Sequence, residues 1–359
     1  MAGPLEGVFV LDVSRVLAGP WATQTLADLG ATVVKIEHPK YGDDTRSWGP
    51  PYTDGEAAYY LSANRGKRSL ALDIASSEGQ AIIHKLAAKA DIFIENFKVD
   101  GLKKYGLDYA SLSALYPQLI YCSITGYGQT GPFAHRAGYD FVVQAMSGLM
   151  SVTGEKGGAP TKVGIALADL STGLYSTIAI LSALYERGRT GRGRYIDMAL
   201  LDVMLGLLAN QNMNYLIGGN APQAMGNAHP NIVPYQAFEA EDGMMVVCAG
   251  NDGQFHALCR VADQAALADD PRFATNKARV ANRDTLVPIL EAIFKQGARD
   301  MWVERLSEAG VPAGPLHDVA GAFADPQVIA RQMLHHLPHT KLGEVPMVSN
   351  PIRIDGAQQ

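Results

Sequence analysis

An α/β fold on a mostly parallel sheet is what this sequence predicts, and three observations carry the prediction. Over the first two hundred residues strand-like and helix-like blocks alternate, the rhythm of successive βαβ units. The blocks VFVLDV, TVVKIE and IFIEN are nearly continuous apolar runs ending in a polar group, as in strands covered on both faces. From Gly164 to Ile217 helical spacing dominates, broken only by the basic turn and short strand of RGRTGRGRYIDMAL.

The elements follow in order. GVFVLDVS and ATVVKIE read as strands flanking the helix WATQTLADLG, and RSLALDI, DIFIENF and QLIYCSITGYG as further strands. In SEGQAIIHKLAAKA a serine precedes an acidic first turn, a helix start. The stretch GGNAPQAMGNAHPN, rich in Gly, Asn and Pro, reads as a linker or site loop. Beyond it VPYQAFEAEDGMMVVCAGND predicts a hairpin turning at Glu241-Asp242-Gly243, then helices to about Ala309. The end, LPHTKLGEVPMVSNPIRID, alternates like another hairpin and is expected to return to the first sheet.

With 359 residues the chain is long enough for one large and one smaller domain. A hydrophobic share of 47% with 18% charged residues suits a soluble globular protein, and no apolar run is expected to reach the roughly 18 residues of a membrane span. The start lacks a basic segment followed by an apolar one, and Cys122, Cys248 and Cys259 form no disulfide or redox pattern, so a cytoplasmic protein is expected. A net charge of −6 argues against nucleic-acid binding, which needs a basic face.

Candidate chemistry gathers in a few places. Asp169 stands in GIALADLSTGLYSTIAILSALY with no cation within ten residues except Lys162, and a lone acid there is costly to ionise unless something holds it. It reads either as a helix residue held by a neighbouring group or as a nucleophile. LAGPWA is not the Gly-x-Gly-x-x-Gly of a dinucleotide site, and Pro20 suits a helix start, although Glu37 ends the second strand as such folds require. NRGKRS, with Arg65, Lys67 and Arg68, reads as a solvated basic turn or a phosphate clamp; Lys98, Lys103 and Lys104 add a second cluster after another strand. His335, His336 and His339 lack a completing carboxylate or Cys, Pro338 breaks the helix that would align them, and no metal site is expected. No Gly-x-Ser-x-Gly is present.

These pieces carry a family resemblance. DVSRVLAGP, GATVVKIEHP, GDDTR, NRGKRSLALDI, DIFIENF, GLDYASLSALYPQLIYCSITGYGQTGP, GYD, ADLSTGLY and RTGRGRYIDMALLD, in that order, resemble the class III coenzyme A transferases, the CaiB/BaiF family. MGNAHPNIVPYQAF, GNDGQF and DPRFATNKARVANR are similar to the branch that moves CoA between succinyl-CoA and dicarboxylic acids such as glutarate or itaconate. The related α-methylacyl-CoA racemases carry a His where this chain has Tyr139, and their catalytic Glu falls near Asp252. Tyrosine is a poor proton shuttle for a thioester α-carbon.

The resemblance implies a Rossmann-like large domain over residues 1–200 and 315–359, a smaller α+β domain over 221–305, linkers at 201–220 and 306–314, and interlocked homodimers. It implies Asp169 as covalent nucleophile, with acyl-CoA and a free carboxylic acid as substrates and no permanently bound cofactor. CoA contacts are expected at Val16, Ala18, His38, Leu72, Asn96, Phe97, Lys104 and Arg136, the last beside Ala137, where some relatives carry a basic residue. Acid contacts are expected at Arg15, Tyr59, Arg65, Tyr139, Asp140 and His229. Backbone N–H groups near Gly250–Gly253 and at Ala18 are expected to face an oxyanion. Relatives continue past NPIRIDG with a Leu-Gly-Glu-His element that this sequence does not include.

Overall fold

Six strands associate into one sheet, the central ones nearly continuous apolar runs and the outer two, KRSLA and YIDMA, mixed and partly exposed: β1 (Phe9–Asp12), β2 (Thr32–Glu37), β3 (Lys67–Ala71), β4 (Ile92–Glu95), β5 (Ile120–Thr125) and β6 (Tyr195–Ala199). The computed structural model describes residues 3–358, so the outermost ends of the expected large domain lie outside the described residues. The strand order is β3-β2-β1-β4-β5-β6 and every pairing is parallel. The order reverses between β1 and β4, the switch point at which doubly wound sheets open a crevice beyond their carboxyl ends.

Alternate residues of each strand feed two cores. On one face Val10, Ile92, Ile94, Ile120 and Cys122 pack with α1 (Ala18–Asp28), α4 (Asp140–Met146), α5 (Leu167–Thr190) and α6 (Leu200–Leu207). On the other Leu11, Phe93 and Tyr121 pack with α2 (Ser77–Ala87) and α3 (Tyr109–Leu115). The serine helix start is present, since Ser76 Oγ accepts the Gly79 N–H at 3.0 Å. A further helix, α7 (Asn210–Gly218), follows α6.

Helix α5 departs from one expectation. An 18-residue window of it has a mean hydropathy of 1.4, so by length and composition it is apolar enough to cross a membrane. Its buried face instead joins the core of the large unit through Ala168, Ile180 and Ala183, with the small residues Ser171, Thr172, Gly173 and Ser176 on the same face. The exposed face keeps Leu174, Tyr175, Ile178 and Tyr185 uncovered in the single chain.

The chain divides into two units, Met1–Ser151 with Lys162–Pro222 and Arg331–Gln359, and Val152–Thr161 with Gln223–Ala330. The boundaries correct four expectations. Residues 201–220 belong to the first unit, largely as helix, and residues 306–314 to the second unit, so neither is a linker; the return occurs at Arg331 rather than 315, and Val152–Thr161 belongs to the second unit. Helical periodicity says nothing about which core a segment joins, so sequence spacing alone misplaced these edges. The terminal hairpin forms from β10 (Leu334–His339) and β11 (Gly343–Val348), yet it is a separate two-stranded sheet and does not extend the six-stranded one. His335, His336 and His339 therefore lie on a strand, with His336 facing the opposite side from the other two.

In the second unit the predicted hairpin β7 (Tyr235–Glu239) and β8 (Met244–Cys248) pairs with β9 (Ala313–Pro315). Phe238, Met245, Phe255, Leu290, Phe294 and Trp302 fill its core.

Candidate active site

The loop after β1 is clamped from two sides. Asn96, just past β4, accepts the Arg15 N–H at 2.8 Å and donates to the Arg15 carbonyl at 2.7 Å. The buried Asp43 accepts the Val16 N–H at 3.2 Å, and Lys35 pairs with Asp43 at 2.9 Å while donating to the Ser14 carbonyl at 2.8 Å. These bonds hold Val16 at φ 69°, a left-handed conformation that a β-branched residue adopts only at a cost of about 1–3 kcal/mol. The turn delivers the chain into α1, whose first residue is Ala18 and which no side chain caps, so its first N–H groups point outward.

Two cavities lie along this edge. The larger, of about 370 Å³, is lined by Arg15, Val16 and Ala18 from the β1 loop, Asn96, Phe97 and Lys98 from the β4 loop, Arg136 and Tyr139, and Asp169. The smaller, of about 210 Å³, is lined by His38, Tyr41, Leu72, Asp73 and Ile74 beyond β2 and β3. Arg15 and Phe97 border both, with the guanidinium 5.8 Å from the ring centroid. His38 stacks on Tyr41 at 4.9 Å, a flat apolar surface at the mouth of the second cavity.

Asp169 is the third residue of α5. Among the described residues its carboxylate has no hydrogen-bond or ion-pair partner, and burial, with the Asp140 carboxylate adding to it, pushes its pKa up to about 7. Asp140 stands at the same helix end: its Oδ1 accepts the Ala168 N–H at 2.7 Å and the Asp169 N–H at 3.4 Å. Tyr59 is close enough that Asp169, after burial, raises its phenol, and its ring meets Trp48 edge-on at 5.3 Å.

A buried charge network supports the site from below. Asp12 accepts from Ser14 and Thr23 and pairs with Lys67 at 3.2 Å. Burial alone would raise its carboxyl, but Lys67 and Lys35 bring it below the usual range. Lys67, wholly enclosed, is itself pushed down to about 7 by burial. Glu37, the acid that would meet a ribose in a dinucleotide fold, is bound instead by Arg46 at 2.7 Å, Ser69 and Tyr60, and is held at about 2 against the opposing effect of burial.

Several expected residues lie elsewhere. Arg65 is not at a substrate seat: its guanidinium pairs with Asp28 at 2.5 Å, which also accepts from Asn350, and both partners are nearly buried. Lys67 is likewise consumed inside by Asp12, so of the three cations in NRGKRS two are paired internally and only Arg68 stays exposed. Lys104 borders neither cavity and lies exposed over the Tyr105 ring, whereas Lys98 lines the larger one. Asp140 faces a helix end rather than a bound acid, and Tyr59 is outside the cavity lining. His229 belongs to the second unit, where it leans on Tyr235 at 5.1 Å. In that unit Asp252 is paired at 2.8 Å with Arg279, which is fully buried. Sequence reasoning missed Asp43, Lys35 and Gln144, because an acid in a loop, a lysine in a strand and a glutamine in a helix carry no spacing signal.

The family model for CoA-transferase family III matches residues 5–359. The chain belongs to that family. As a family III CoA-transferase it is an enzyme, and its α/β fold with a parallel sheet is the family's fold. It is 53% identical over 356 residues to the succinate–glutarate CoA-transferase of Agrobacterium fabrum, covering 97% of this chain and 89% of the relative. To the human succinyl-CoA:glutarate CoA-transferase it is 45% identical over 350 residues, covering 98% and 80%. The crystal structure of a CaiB/BaiF family protein from Brucella suis matches with a TM-score of 0.86 at 54% identity, covering 100% of this transferase and 94% of that chain.

Proposed function

We propose that this enzyme transfers CoA from succinyl-CoA to a dicarboxylic acid of four to six carbons, such as glutarate or itaconate, through covalent chemistry at Asp169. The observation that carries the reading is a carboxylate without a partner among the described residues, lining the cavity at the sheet's switch point. The names of the relatives at 53% and 45% identity support the substrate class.

The chemistry needs no acid or base. The Asp169 carboxylate attacks the thioester carbonyl, the C–S bond breaks, and CoA thiolate leaves an aspartyl–succinyl anhydride. The thiolate attacks the aspartyl carbonyl, releasing succinate and leaving an aspartyl-CoA thioester. The acceptor carboxylate attacks that carbonyl and displaces the thiolate, which then takes the acceptor's acyl carbon and frees Asp169. Apolar surroundings strip water from the carboxylate and protect each anhydride.

The adenosine of CoA fits the smaller cavity, against His38, Tyr41 and Leu72, and the pantetheine arm passes Arg15 and Phe97 into the larger one. Val16, Ala18 and Asn96 line that path, and the Ala18 N–H faces the oxyanion. Arg15, Lys98 and Arg136 are the cations available for phosphates and for the acceptor's distal carboxylate, with Tyr139 beside them. The enzyme works as a homodimer, interlocked as the family resemblance implies; the exposed apolar face of α5 and Leu216 and Ile217 of α7 give it a surface to bury. A racemase reading fares worse, since Tyr139 replaces the shuttling His and Asp252 is held by Arg279.

The test is succinyl-CoA with a panel of free acids, read as new acyl-CoA by mass. Glutarate, itaconate or another short dicarboxylate is expected to exceed butyrate about a hundredfold in specificity constant, because unpaired polar groups reject the analogue. Equal rates with butyrate sink the dicarboxylate assignment, and solvent deuterium entering the α-carbon of a branched acyl-CoA without transfer sinks the reaction.

A further inference from the structure

Gln144 is fully buried on α4 and lines neither of the two cavities described above. Its Nε2 donates to Asp140 Oδ2 at 2.7 Å and to the Ile165 carbonyl at 3.3 Å, and its Oε1 accepts the Val163 N–H at 2.9 Å. Asp140, one turn earlier, takes the Ala168 and Asp169 N–H groups. The segment Val163–Asp169 is thus gripped at four backbone groups by two side chains of one short helix. The helix has no cap of its own, since Ala166 occupies that place.

We propose that Asp140 and Gln144 are a positioning pair that fixes the first turn of α5 and withholds its N–H groups from the Asp169 carboxylate. A helix N-terminus stabilises a nearby negative charge through those N–H groups. Here Asp140 occupies them first, and Gln144 prevents Asp140 from turning away. Asp169 is left with its charge unshared and aimed at the cavity, the condition for a strong carboxylate nucleophile. The other charged or titratable groups around it are Tyr59 on the short helix Ala58–Ser62 and, lining the same cavity, Arg15, Lys98, Arg136 and Tyr139. The raised carboxyl of Asp169, to which Asp140 contributes after burial, accords with the geometry.

The inference rests on the transferase reading for its functional meaning, and its test has one arm that does not. Carbodiimide coupling of an amine to Asp169, read by peptide mass across pH, follows the protonated carboxyl without any turnover. In the wild-type protein the labelling midpoint is expected near pH 7. Asp140→Asn keeps an acceptor for the helix but removes the charge, and is expected to move the midpoint down by about one unit, a tenfold change in proton affinity. Gln144→Ala is expected to lower kcat about tenfold or more while the KM for succinyl-CoA stays within about threefold, as misplacement of a reacting group does. Circular dichroism of both variants separates these effects from failure to fold. An unmoved midpoint in folded Asp140→Asn, or an unchanged kcat in folded Gln144→Ala, overturns the proposal. Wild-type protein inactive with every acid refutes the transferase reading instead, and the labelling midpoint still decides the role of Asp140.

Discussion

Gly173 lies directly against Ala18: a side-chain carbon placed on Gly173 falls 2.7 Å from the Ala18 carbonyl oxygen and 3.1 Å from Trp21 Cβ. Gly173 is one turn beyond Asp169, so this contact is where α5 crosses the start of α1 and sets the distance between the carboxylate and the Ala18 end of that helix.

Gly173→Ala therefore tests the crossing. In an open helix the change stabilises by about 0.5–1 kcal/mol, whereas here it is expected to destabilise by about 1–3 kcal/mol because backbone must shift. Thermal melting gives the sign, and a fall of about tenfold in kcat should accompany it.

Asp169→Ala is expected to lower transfer at least about a thousandfold with the fold intact, since the covalent bond has no other donor. Retention of more than a tenth of wild-type turnover rejects covalent catalysis at this position. Trapping with hydroxylamine after succinyl-CoA alone should label Asp169 in the wild-type protein.

The pH dependence has a definite sign. Burial chiefly, and then Asp140, push the Asp169 pKa up to about 7, and in the proposed mechanism only the carboxylate form attacks. The specificity constant for succinyl-CoA should rise with pH through 7 and level above it, because that constant reports free-enzyme ionisations. Stability moves the other way. The folded state holds this proton more tightly than the unfolded chain, so Asp169→Asn should gain in melting temperature relative to wild type as pH rises from about 4 to 7, and the gap should be constant above that.

Arg65 and Arg136 separate structure from substrate binding. Breaking the nearly buried Arg65–Asp28 pair by Arg65→Ala should cost about 3 kcal/mol of stability. Arg136→Ala, in the cavity wall, should instead raise the KM for succinyl-CoA with little change in kcat or melting temperature, as uniform binding does. Urea unfolding and steady-state kinetics on both variants check the assignment; a KM effect confined to Arg65→Ala reverses it.

Much of this protein was legible in the sequence, and the reason is local. The strands TVVKIE and YQAFE, the Ser76 helix start and the Glu241–Gly243 turn depend on side-chain period and on nearby hydrogen bonds, which a sequence displays directly. Asp169 stood out because Lys162 is the one cation within ten residues of it in sequence, and in the structure its carboxylate still has no partner among the described residues. What only the tertiary structure decided was how charges pair across distance. Arg65 and Lys67 in NRGKRS read equally as a solvated turn or a phosphate clamp until Asp28 and Asp12, 37 and 55 positions away, took them. Asp140 looked like a substrate contact until the end of α5, 28 positions on, met its carboxylate. A sequence shows which groups carry charge; burial makes each seek a partner, and only the folded chain brings that partner into hydrogen-bond reach.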